Sequence, residues 1–109
     1  MSNTTVITGN LGNVPEIQTF NSGKIKATFS IASEVRDAQG NKTTQWHRIS
    51  LWGKRAERAA QMLYKGAKVL VHGQEAERPY TDKNGESRVA VEFSAQNFYL
   101  LAKPVRTQA

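Results

Sequence analysis

The chain contains no cysteine. Disulfide staples, thiolate metal sites and thiol nucleophiles are therefore excluded, and the absence is compatible with a reducing compartment. Histidine is nearly as scarce, with His47 and His72 the only two. Without cysteine or clustered carboxylates they do not make a zinc site, and neither a metal nor a cofactor is expected. No apolar run is long enough to cross a membrane. The stretch Met1-Ser2-Asn3-Thr4-Thr5 has no basic segment leading into an apolar one, so no signal peptide is expected either. Negative charge is also in short supply: 9 Asp and Glu face 15 Lys and Arg, for a net charge of +6. Such a surplus favours polyanions, nucleic acid first and an anionic membrane second, although it also serves solubility.

What is present is enough for one globular domain. The chain has 109 residues, 39% of them hydrophobic. A chain of this size buries roughly 65% of the surface its unfolded form exposes, enough for a single core.

The most informative stretch is Gln45-Trp46-His47-Arg48-Ile49-Ser50-Leu51-Trp52-Gly53-Lys54. Successive side chains of a strand point to opposite faces. Ile49 and Leu51 fall on one face with His47, and Trp46, Arg48, Ser50 and Trp52 on the other. If the aliphatic pair faces the core, two tryptophans flank an arginine on the outside. Large exposed aromatics call for a partner, and a π-face beside a guanidinium suits an unpaired base and its phosphate.

The remaining chain is punctuated in the same manner. Thr5 to Asn10 is β-rich and stops at Gly9-Asn10-Leu11-Gly12, two glycines that suggest a bulge or a close backbone approach. This is no phosphate loop, because it lacks Gly-Lys-Ser/Thr and no helix follows. Glu16 to Phe20 is extended, and Asn21-Ser22-Gly23 signals a hairpin turn. From Lys24 to Ser33, Ile25, Ala27, Phe29 and Ile31 alternate with Lys24, Lys26, Thr28 and Ser30, which predicts a half-buried strand. Arg36 to Lys42 is a polar loop. A single short helix is expected from Lys54 to Lys65, with Ala56, Ala59, Ala60 and Leu63 at helical spacing and Gly66 as its stop. Lys68 to Gly73 is a strand extending to Tyr80. Thr81-Asp82-Lys83-Asn84-Gly85 is a turn, because Asn-Gly readily adopts positive φ. Glu86 to Phe93 alternates Ser87, Val89, Val91 and Phe93 against Glu86, Arg88, Ala90 and Glu92, and Asn97 to Leu101 is a last apolar piece. The order predicts an all-β, five-stranded Greek-key OB-fold barrel with its helix between strands 3 and 4. A small β-sandwich would leave that helix without a place. The domain is expected to span residues 1–102, with a short basic end over 103–109.

No enzyme is expected. Each histidine reads as packed or interfacial, and Ser50 has no base arranged beside it in sequence. The aromatic and basic residues form the candidate site: Trp46, Trp52 and Tyr80, interleaved with Lys24, Lys26, Arg48, Lys54, Arg55, Arg78 and Arg88. A plainer account makes one tryptophan part of the core and leaves the basic groups merely solvated.

Several segments now resemble a known family. Val6-Ile7-Thr8-Gly9-Asn10-Leu11-Gly12 with Pro15-Glu16, the run Thr44 to Lys54, Leu63-Tyr64-Lys65-Gly66, and Val69-Leu70-Val71-His72-Gly73-Gln74 are similar to the bacterial single-stranded DNA-binding proteins, over about Thr5 to Asn97. The resemblance implies a non-catalytic protein that coats single-stranded DNA in replication, recombination or repair, with weak sequence preference. It implies a cytoplasmic, nucleoid-associated location. It assigns base stacking to Trp46, Trp52 and Tyr80, and it leaves Val35 where some members carry a further aromatic. It also implies a homo-oligomer, a tetramer with a dimer as the alternative, whose interface is expected at His47 and the first strand, including Val6. The family usually continues into an acidic tip that recruits replication and repair proteins. Residues 103–109 have two positive charges and no carboxylate side chain, so recruitment of tail-reading partners is not expected of them. Two other functions fit the fold: a primosome-type adaptor that binds single-stranded DNA and contacts a helicase, and an RNA-binding OB domain, which the 2′-hydroxyl would distinguish.

Overall fold

The computed structural model describes residues 4–101. It contains six strands and one helix: β1 (Thr5–Leu11), β2 (Glu16–Thr19), β3 (Ile25–Arg36), β4 (Lys42–Trp52), α1 (Lys54–Met62), β5 (Lys68–Thr81) and β6 (Ser87–Leu100). Hydrogen bonding runs β1-β5-β6-β4-β3, and β3 returns to β1 at Asn10↔Ala32 and Leu11↔Ile31. Five strands therefore close into a barrel, and α1 sits between the third and fourth of them, the OB-fold arrangement. β2 is an addition to this ring. It pairs with Ile25–Thr28 on the β3 edge that β1 reaches only further along. The short basic end over 103–109 lies outside the described residues.

Alternation builds the core. Ala27, Phe29 and Ile31 of β3, Ile49 and Leu51 of β4, and Val69 and Val71 of β5 are all buried, with Ile7, Leu11, Phe93 and Phe98 joining them. α1 closes the barrel with Ala56 and Ala59, small enough to let the helix approach the sheet closely. Gly53 makes the turn from β4 into α1 at φ 68°, a conformation that favours glycine.

The helix ends at Met62 and not at Lys65. Leu63 is already extended at φ −93°, ψ 144°, which turns its side chain into the core. The following turn is held by Gly66 N–H donating to the Leu11 carbonyl and Leu11 N–H donating to the Ala67 carbonyl, at 2.8 and 2.9 Å. β3 also differs from the expected span: it begins at Ile25, leaving Lys24 in the preceding turn, and runs on to Arg36.

Two further departures come from β6. The expected separate pieces Glu86–Phe93 and Asn97–Leu101 are one strand with an irregularity. His72 pairs with Asn97 but Gly73 with Ala95, so Gln96 is the extra residue. An extra residue switches the side-chain parity. Phe93 and Ala95 before it, and Phe98 and Leu100 after it, therefore all point to the core. Gly73 is required there, since a Cβ would collide with the Ser94 carbonyl oxygen. The second departure is that Val89 and Val91 share Phe93's parity yet are 56% and 52% exposed. Beyond Phe93 the strands β5 and β6 pair only with each other among the described residues, forming an arm that leaves the barrel.

Candidate nucleic-acid interface

Residues directly opposite each other in a ladder share a face of the sheet. On β4 the outer face carries Trp46, Arg48, Ser50 and Trp52. Their partners on β3 are Ala32, Ser30, Thr28 and Lys26. β2 adds Gln18 opposite Lys26 and Glu16 opposite Thr28. On the other side, Ser50 pairs with Ser94 of β6. Glu92, Ala90 and Arg88 continue that face, opposite Ala76, Arg78 and Tyr80 of β5. The barrel, with the β5–β6 arm continuing from it, thus places seven of the residues singled out from sequence on one face: Trp46, Arg48, Trp52 and Lys26 on the barrel, and Arg78, Tyr80 and Arg88 on the arm. Lys24 and Lys54 lie at its end, lining a cavity beside Trp52.

Both tryptophans stand out from the core. Trp46 is 59% exposed and its ring lies over Gly12, where an added Cβ would sit 2.5 Å from Cζ3. Gly12 itself is tied to β3 by its N–H to the Ser30 carbonyl at 2.9 Å. The first glycine segment therefore supplies two close approaches, since Gly9 likewise has no room for a Cβ against Ala32. Trp52 is 44% exposed. Its ring is stacked with Phe20 at 5.5 Å between centroids and 28° between planes, and the Lys26 ammonium lies 5.4 Å from its centroid. Phe20 was not singled out as a site residue. It was placed at the end of the extended piece Glu16–Phe20, but β2 stops at Thr19 and no alternation marks Phe20.

Between the tryptophans runs a groove of about 450 Å³, where Lys26, Arg48 and Arg78 meet Glu16 and Glu92. Glu92 is the second residue not singled out, although alternation had already set it on the Arg88 side. Its carboxylate is 3.4 Å from Lys26 Nζ. Burial pushes its pKa up, but the Ser50 hydroxyl and the Lys26 and Arg78 charges outweigh this and hold the carboxyl below its ordinary value. Ser50 is buried, with its hydroxyl directed at that carboxylate. At the far end, Arg88 is already engaged in an ion pair with Asp82. The guanidinium, with the Glu86 and Asn84 N–H groups, holds the Asp82 carboxyl below the usual range and braces the β5–β6 turn. Tyr80 is exposed beside it. Val35 is exposed on the β3–β4 hairpin, away from these residues in the ladder, opposite Thr43.

The two residues expected at a subunit contact also come together. Val6 and His47 line a shallow cavity of about 570 Å³ with Thr8, Glu34 and Lys68. Val6 is 57% exposed and pairs with His72, whose ring stacks on Tyr99 at 5.9 Å. Leu70 is opposite Tyr99. This face of β1, β5 and β6 is thus partly apolar and separate from the groove.

Chemically, the groove face offers flat aromatic surfaces at intervals, cations between them, and two carboxylates that temper the positive potential. Compared with known families, the chain matches the model of the Single-strand binding protein family over residues 2–101.

Proposed function

The chain belongs to the single-strand binding protein family, which implies binding to single-stranded DNA, and on that premise we propose that the strand is held on the β2–β3–β4–β6–β5 face. Bases stack on Trp46, Trp52 and Tyr80, and phosphates meet Arg48, Arg78, Lys24 and Lys54. Lys26 contributes to the same field, though much of its charge is spent on Glu92. Neither kind of contact reads the edge of a base, so sequence preference is weak and the protein coats rather than selects. The observation that carries this reading is the pair Trp46 and Trp52 on one face of β4, both half-exposed, with Arg48 between them. Duplex DNA would hide the π-faces that these rings need.

The setting we propose is replication, recombination or repair in the cytoplasm, at the nucleoid. A homo-oligomer, tetrameric or dimeric, would cover the Val6–His72–Tyr99 face and the His47 cavity while leaving the groove open. Sedimentation at micromolar protein tests this, and a monomer would refute it. For DNA, intrinsic tryptophan fluorescence is titrated with single-stranded and duplex oligonucleotides of one sequence. Strong quenching by the single strand with much weaker duplex binding is expected. Equal affinity for the duplex would overturn the stacking mechanism.

A further inference from the structure

We propose that Phe20 is itself a base-stacking residue, and that with Trp52 it forms a nucleobase station at the β2–β3 hairpin, distinct from the station at Trp46. The inference rests on the reading that this face binds single-stranded DNA, and goes beyond it by assigning a residue and a place.

Phe20 does not serve the core. It is 38% exposed and lies in the hairpin turn, yet its backbone is fixed: its N–H donates to the Lys24 carbonyl and its carbonyl accepts from Gly23 N–H, both at 2.8 Å. The hairpin is tied in turn to the end of β4, because Gly53 N–H donates to the Ile25 carbonyl at 2.9 Å. Two exposed rings are thereby held stacked on each other, an arrangement that a further flat ring can extend. Lys26, gripped by Glu92, keeps a cation near the Trp52 ring as well. Lys24 and Lys54 stand beside Trp52 and Ile25 around a cavity of about 540 Å³, so cations flank an aromatic and aliphatic surface. An unpaired base with its phosphate has that same division into flat apolar body and anionic edge.

The station is separate from Trp46 by geometry. Six residue steps of strand lead from Trp46 to Trp52, about 20 Å at the usual rise. No single base spans that distance. A strand running along β4 therefore meets one aromatic station at Gly12–Trp46 and another at Phe20–Trp52, with Arg48 and the Lys26–Glu92 pair between.

The alternative role for Phe20 is a packing strut that merely steadies Trp52. A leucine would do that work without a π-face. The experiment measures single-strand affinity of wild type, Phe20→Leu and Phe20→Tyr, with circular dichroism as the folding control. If Phe20 stacks on a base, Phe20→Leu weakens binding by roughly 5- to 150-fold, the range for losing one stacked base, while Phe20→Tyr stays near wild type. Wild-type affinity in Phe20→Leu would overturn the proposal and leave the wider DNA-binding reading standing. So would an equal loss in both variants. A wild-type chain without single-strand affinity would overturn both.

Discussion

Glu92→Gln separates the two roles of the carboxylate in the groove. The substitution preserves shape and the capacity to bond Ser50, and removes one negative charge 3.4 Å from Lys26 Nζ. Both side chains are mostly shielded, at 17% and 19% exposed. Two unit charges at that separation attract by about 5 kcal/mol at an effective dielectric of ~20. Desolvation of both groups offsets most of this. The expected loss of stability is therefore about 1–2 kcal/mol, since the glutamine keeps the neutral part of the contact. Its pH dependence has a definite sign. A carboxyl with a lowered folded pKa contributes stability above its ordinary value of 4.5 and loses it as pH falls through the depressed value. Wild type and variant should thus differ in urea unfolding at pH 7 and converge in acid. DNA binding should move the opposite way. Lys26 is released to meet a phosphate, so the slope of log affinity against log salt should steepen by roughly 0.7. The variant should bind more tightly at low salt, and the advantage should shrink as salt rises. Weaker binding with an unchanged slope would refute the reasoning. It would mean that the ion pair organises the groove and that Lys26 never faces the DNA.

The other consequences follow from the same geometry. Trp46→Ala and Trp52→Ala should each weaken single-strand binding by roughly 1–3 kcal/mol, a range taken from OB-folds of this kind rather than from this structure; in thermal melts Trp52→Ala should be the less stable, because it also strips Phe20 and Lys26 of their partner. Arg48→Ala should make the salt slope shallower by roughly 0.7 if Arg48 meets one phosphate, and an unchanged slope in salt-series titrations would remove it from the contact set. Gly12→Ala should push the Trp46 ring aside, lowering single-strand affinity with little loss of stability, because that ring is 59% exposed and free to move; undiminished affinity would show that Trp46 need not lie over Gly12 to bind.

Much of the fold was legible in local pattern. Alternation in Lys24–Ser33 and Gln45–Lys54 identified two barrel strands and correctly separated Ile49 and Leu51 from Trp46 and Trp52, because side-chain direction on a strand depends only on parity. Asn21-Ser22-Gly23 and Thr81–Gly85 announced turns, and Gly23 and Gly85 take φ of 89° and 81° as turn glycines do. The candidate groove residues were legible for the same reason, as outward cations and aromatics on strands. What local pattern does not carry is which strands become neighbours. That Glu92 reaches Lys26, 66 residues away in the chain, depends on β6 lying beside β4. So does the burial of Ser50, which parity alone set on the outside. The extra residue Gln96 lets two phenylalanines of opposite parity share a core, and the arm that leaves the barrel carries Val89 and Val91 outside it. Phe20 ended a short extended piece with no alternation to give its side chain a face, and only the hairpin's fold over the end of β4 brings it onto Trp52. Parity is a property of consecutive residues and can be read along a chain. Closure, register and cross-strand pairing are decided by burial and hydrogen bonding between distant segments, and these arise only when the barrel forms.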